Sequence, residues 1–388
     1  VVAALLYGLT GSMNLAMALA TTTMTVLILV AMWWMLRPFL KKSQILVAIV
    51  ALVSSILAMD LHYKPEGQLL FVLASYYSCY LLTVLVVWGD YIHGLFCKKN
   101  VLCITFVLGM VLSFATGMQS LRQTCIMVAP LLVLEGLRVL WMLWNKNRKN
   151  IGLDWRPTIR TISVTAANGA GLVWIHILQI PSATIYGSVE ILSLEQLPQH
   201  LKNAFYAVAQ ITGLAYLNTY GPSWFIALFS LVSMGAVLLA LGRAVFQLIK
   251  RNRQPLSAAV QALDILMALC VLSLLAVLSS SLILNIELRA VYLFLWYLLV
   301  ALAVTALIAG ASVKWNNLLM AILCILSLGN LYVSYAPNIR LSLEKPESVW
   351  TQVADELMEH DFDLLYGRWD FANMVATYTD GKVISAAW

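Results

Sequence analysis

Few residues in this chain could do chemistry, and they are widely spaced. Asp60-Leu61-His62-Tyr63-Lys64 is the densest polar cluster. A carboxylate and an imidazole two positions apart suit a base or a ligand pair meeting one substrate, so Asp60 and His62 are the catalytic candidates. A short polar connector has the same composition, and the spacing does not separate the two readings. Arg122 and Arg289 each open an apolar run. A guanidinium there presents a planar fork that matches phosphate oxygens, which makes both candidates for lipid-phosphate binding. The competing use is snorkelling to the nearest lipid headgroup.

Four further polar residues lie inside apolar runs. Glu135 and Arg138 are three positions apart, share a helix face and can pair, which reads first as structural. Asp264 has no local partner and calls for Arg243 or another base. His176, beside Trp174, suits a hydrogen bond between helices. The sequence contains no G-x-S-x-G, Walker A, H-E-x-x-H or glycine-rich nucleotide loop, which argues against nucleotide hydrolysis. Its six cysteines include no C-x-x-C pair, so neither a disulfide framework nor a metal cluster is expected. No cofactor is identified, and a divalent metal is left open.

The elements that must position these residues are set by composition. The 388 residues are 62% hydrophobic and 11% charged, with mean hydropathy +0.86. Soluble domains carry about 25% charged residues, so a water-soluble nucleotide-binding fold, a disulfide scaffold and a disordered tail are all excluded for most of the chain. The expected class is an all-α integral membrane protein. A spanning helix needs roughly 20 apolar residues, and ten runs qualify: 15–36, 43–59, 68–89, 101–117, 123–144, 161–185, 223–249, 256–284, 290–311 and 315–335. Val1–Leu9 is apolar but too short to span and reads as the end of an earlier element.

Placing the start of 15–36 outside puts Arg37, Lys41, Lys42, Lys98, Lys99, Arg138, Lys146, Arg148, Lys149, Arg156, Arg160, Arg243, Lys250, Arg251, Arg253 and Lys314 on the cytoplasmic side. Basic residues concentrate there in membrane proteins. The net charge of +6 is thus a topology signal and needs no nucleic-acid partner. Arg122, Arg289 and the loop at Asp60 fall outside, as does the C-terminus.

Two external elements interrupt the spans. In 186–222, Leu194, Leu197, Leu201, Phe205 and Val208 fall on one helical face, which predicts an amphipathic helix in the outer interface. A long connector lying on lipid is the plainer alternative. The second element is 336–388, set apart from the transmembrane domain 1–335. Pro337 is expected to end the last helix and Ser348 to begin an acidic one. Phe362, Leu364, Tyr366 and a turn at Asp380-Gly381 then suggest a small α/β unit. Its nine acidic residues outnumber four basic ones.

Together the many spans, the external amphipathic helix and the C-terminal unit resemble the GT-C superfamily of membrane glycosyltransferases. The local carriers are Gly117-Met-Gln-Ser-Leu-Arg122 followed by Pro130, and Glu287-Leu-Arg289-Ala-Val-Tyr292. Tyr366-Gly-Arg-Trp-Asp-Phe-Ala-Asn373 with Thr379-Asp-Gly-Lys382 adds a third. The resemblance implies transfer of a sugar from a polyprenyl-phosphate carrier at the outer face of a bacterial plasma membrane. It also implies an acidic base in the first external loop, which would precede Val1, so Asp60 stands in by position only. The rival classes are a transporter or flippase for a lipid-linked or anionic solute, and an O-antigen-type polymerase or ligase. For a transporter, Asn168-Gly169 is the one mid-span interruption to test.

Overall fold

The computed structural model describes residues 2–57, 77–97, 103–119, 121–149, 154–178, 191–214, 224–250, 257–285, 288–311, 313–344, 349–367 and 369–387. The described chain is mostly helical. Helices α1 (Val2–Thr10) and α2 (Met13–Leu36) meet at Gly11, whose φ of +67° favours glycine. They are followed by α3 (Lys42–Leu57), α4 (Ser78–Phe96) and α5 (Ile104–Gln119). A turn at Leu121–Gln123 and a π-helical segment at Thr124–Val128 lead into α6 (Ala129–Lys149). Then come α7 (Arg156–Ile177), α8 (Leu197–Thr212), α9 (Trp224–Lys250) and α10 (Ala258–Ile283). A 3-10 turn at Ala290–Leu293 precedes α11 (Leu295–Gly310) and α12 (Val313–Glu344).

Among the described residues, seven segments are long and apolar enough to cross a membrane: Leu15–Leu36, Ser78–Phe96, Leu121–Trp144, Phe225–Gln247, Ala258–Ile283, Ala290–Gly310 and Trp315–Val333. They mark the chain as an integral membrane protein. Of the ten expected spans, the other three correspond to helices that fall short of that standard. α3 and α5 have 16 residues each, about 24 Å at 1.5 Å per residue. α7 has 22 residues but starts with Arg156 and Arg160 and carries Asn168.

Two expected boundaries move for one physical reason. The run 68–89 was bounded by its first charge, Asp90, yet α4 continues through Asp90 and His93 to Phe96. The run 161–185 began after Arg160, yet α7 starts at Arg156. Asp90 and Arg160 pair with each other inside the fold, so neither charge has to end its helix. Pro337 does not end the last helix either: α12 runs on to Glu344. A proline removes one backbone hydrogen bond, which a long helix can accommodate.

The core sits around α11, which is buried along nearly its whole length by α3, α9 and α10. A helix apolar on every side is suited to that place. α4 is the second buried helix, packed on α2 and α5. The most extensive helix pair is α5 with α7. There a Cβ on Gly117 would collide with the Asn168 carbonyl oxygen, and one on Gly171 with that of Phe114. Asn168 Nδ2 donates to the Ser113 carbonyl at 2.9 Å, and Ser113 Oγ to that of Val164 at 3.0 Å. Small residues let the backbones approach, and the polar side chains then bond across the gap.

Beyond α12 the chain forms α13 (Val349–Glu359), β1 (Leu364–Gly367), α14 (Trp369–Tyr378) and β2 (Ile384–Ala387). The strands are parallel, with Leu364 opposite Ile384. The turn into β2 uses positive φ at Asp380 and Gly381. Its Asp380 carboxylate accepts from the Met13 N–H and from Ser12 Oγ at 3.3 Å. The unit is thereby fastened to the start of α2, where orphan helix N–H groups favour an acceptor.

Candidate anion site at the Arg122 end

Gly89 of α4 lies against Trp34 and Met35 near the end of α2, so both helices begin at the same end of the bundle. Arg122 belongs to that end. It follows α5 and directly precedes the π-helical segment Thr124–Val128. The widened turn is stitched to its neighbours: Trp88 Nε1 donates to the Met127 carbonyl at 3.3 Å, and Thr124 Oγ1 to Asn168 Oδ1 at 2.5 Å. π-Bulges of this kind often occur at functional sites.

The Arg122 side chain rests among tyrosines. Its Nη1 donates to Tyr77 Oη at 2.9 Å, and the guanidinium carbon lies 3.8 Å from the centroid of the Tyr292 ring. The Tyr77 ring packs against Tyr80, Tyr292 and Phe294, with centroids 5.6, 6.0 and 6.3 Å away. A guanidinium stacked on an aromatic face is held flat, which fixes the direction of its N–H fork.

Arg289 reaches the same neighbourhood from the other side of the sequence. It is the N-cap residue of the 3-10 turn, and its carbonyl accepts from the Tyr292 N–H at 3.0 Å. Its side chain is exposed. The structure therefore brings the Arg122 guanidinium to Tyr292, whose N–H bonds the Arg289 backbone. Asp60 and His62 lie outside the described residues, and so does Glu287.

Helix α8 covers this end. It packs against the 3-10 turn and α10 through Ala204, Ala207 and Ile211. His200 Nδ1 lies 3.0 Å from the Ser281 carbonyl, and the Leu192 N–H donates to the Ile283 carbonyl at 2.9 Å. The amphipathic helix expected within 186–222 is present as Leu197–Thr212. Leu201 and Phe205 remain at the protein surface, Phe205 at 71%, as does Leu194 just before the helix. Ala204, Ala207 and Ile211 dock it, while Leu201 and Phe205 face outward.

The opposite end collects the charged residues that sequence placed inside spans, and one pair that it missed. Glu135 and Arg138 pair through two bonds of 2.6 and 2.7 Å. Glu135 also accepts from Tyr91 Oη at 2.8 Å and Thr158 Oγ1 at 2.6 Å. Asp264 accepts from Arg243 at 2.5 Å, and Arg243 also donates to the Ala306 carbonyl at 2.7 Å. The missed pair is Asp90 with Arg160, in which Asp90 also accepts from Thr105 Oγ1 at 3.0 Å. The available signal was Gly94, one helical turn after Asp90. It leaves room for the Arg160 stem, since an added Cβ would lie 3.0 Å from Arg160 Cδ.

Among the described residues, no group of three or more His, Cys, Asp and Glu side chains converges as a metal site would. α7 runs unbroken through Asn168-Gly169. The chain matches no family model, no curated protein and no solved structure.

Proposed function

We propose that this protein is a glycosyltransferase that takes a sugar from a polyprenyl-phosphate carrier at the outer face of a bacterial plasma membrane. The observation that carries the reading is the stacking of Arg122 on Tyr292, in the same short turn that Arg289 caps. One oriented and one exposed guanidinium suit the phosphate of a lipid carrier, whose negative charge grows as the sugar leaves. Asp60 and His62 are the candidate acid–base residues for the acceptor hydroxyl. The exposed apolar residues of α8 are suited to the carrier's prenyl chain. In this reading all ten apolar helices span, and the C-terminal unit lies outside with α8.

The transport alternative draws its support from interrupted helices, and the continuity of α7 removes the interruption that sequence suggested. The test is transfer from a polyprenyl-phosphate sugar by purified protein in vesicles. Arg289→Ala is expected to lose about 10²–10³-fold in turnover, the range seen when one charge-stabilising donor is removed. Its melting temperature should stay at the parent value because the side chain is exposed. Parent-like turnover in Arg289→Ala removes the phosphate role and with it this reading.

A further inference from the structure

Between α4, α5, α6 and α7, at the end opposite Arg122, lies a cavity of about 10 Å³. Asp90, Tyr91, Phe106, Leu131, Arg160 and Thr161 are among its walls. Two of these form the buried ion pair, with Asp90 4% and Arg160 1% exposed. Thr161 is also 1% exposed, and its Oγ1 has no hydrogen-bond partner among the described residues. A buried hydroxyl without a partner costs roughly 1–3 kcal/mol. Its helix neighbours show the usual remedy: Thr165 Oγ1 donates to the carbonyl four residues back, at 2.7 Å.

We infer that this cavity is a binding site for one ordered water molecule, held by Thr161 Oγ1 and the Asp90–Arg160 pair. The volume matches a single water, which needs about 10–15 Å³ and two to four polar partners. The partners present are a hydroxyl, a guanidinium and a carboxylate, so both donors and acceptors face the site. An ion is disfavoured because Asp90 and Arg160 already neutralise one another. Wholly apolar cavities stay dry, but this one adds Asp90, Arg160 and Thr161 to otherwise apolar walls. The water extends the hydrogen bonding of the pair from Asp90 on α4 to the hydroxyl of Thr161 on α7. This site is independent of the glycosyltransferase reading.

Two measurements on the full chain in nanodiscs test it. In hydroxyl-radical footprinting by radiolysis, a bound water generates radicals in place. Phe106 and Leu131 are then expected to be oxidised several-fold faster than Phe294, which is also buried, and by far more than their small difference in exposure accounts for. Thr161→Val should abolish that excess. The same substitution separates wet from dry by sign. With a water bound, Thr161→Val strands it and lowers the melting temperature by roughly 2 °C or more. With a dry hydroxyl, valine removes an unsatisfied group and the melting temperature stays or rises. Labelling of Phe106 no faster than Phe294, or a Thr161→Val protein melting at or above the parent, overturns the inference.

Discussion

The two ends of the bundle hold their arginines by different means. At one end Arg138, Arg160 and Arg243 each meet a carboxylate: Asp90–Arg160 ties α4 to α7, Arg243–Asp264 ties α9 to α10, and Glu135, paired with Arg138 within α6, also accepts from Tyr91 on α4 and Thr158 on α7. At the other, Arg122 is held by a phenol oxygen and an aromatic face, and Arg289 sits exposed one turn before that same ring. A carboxylate neutralises a guanidinium and makes it part of the scaffold. A tyrosine orients it through a hydroxyl and a ring face. The first arrangement suits holding helices together within a membrane, and the second suits meeting an anion.

The sharpest way to break this comparison is at Arg160. Arg160→Met strands the Asp90 carboxylate in the fold, and removing one member of a buried pair costs about 3–5 kcal/mol. A large drop in melting temperature, or loss of folded protein on size-exclusion chromatography, is expected. Adding Asp90→Leu should recover most of the loss, because two apolar residues can replace a buried pair nearly neutrally. If the single variant melts like the parent, the pair is not part of the scaffold.

Tyr77→Phe probes the other end with a smaller effect. It removes the phenol hydrogen bond to Arg122 and keeps the ring, for a cost of about 1 kcal/mol. Turnover with a polyprenyl-phosphate sugar should fall by more than the stability change implies, since the fork loses its orientation. Equal parent and variant turnover would make Tyr77 a packing residue only. The smallest expected effect is Phe205→Ala on α8. An exposed side chain should shift stability by no more than about 0.5 kcal/mol in detergent, while binding of long-chain carrier in bilayers weakens. Unchanged carrier binding would separate α8 from the lipid-handling role.

Much of the architecture was legible because its signals are local. Each expected apolar run overlaps a described helix, although two ends shifted where Asp90 and Arg160 neutralise one another. Glu135 and Arg138 could be paired from spacing alone because three residues nearly complete a helical turn. The Asp380-Gly381 turn was legible from residue type, since both residues tolerate positive φ. Pro337 misled, because its helix-breaking tendency is a preference that the long α12 overrides. The face of α8 was read correctly as apolar, but not which side docks: Ala204 and Ala207 make the contact while Phe205 stays outside.

What the sequence by itself determined is the solvent this chain belongs in and the course of its helices. Both follow from hydropathy and periodicity over windows of about 20 residues. The tertiary structure alone decided which charges meet. Asp90 and Arg160 are 70 positions apart, and Arg122 finds the Tyr292 ring from a different segment altogether. Such partners are chosen by helix rotation, depth and the close approach that Gly94, Gly117 and Gly171 permit. Those are properties of packed pairs of helices, and no single stretch of sequence contains them.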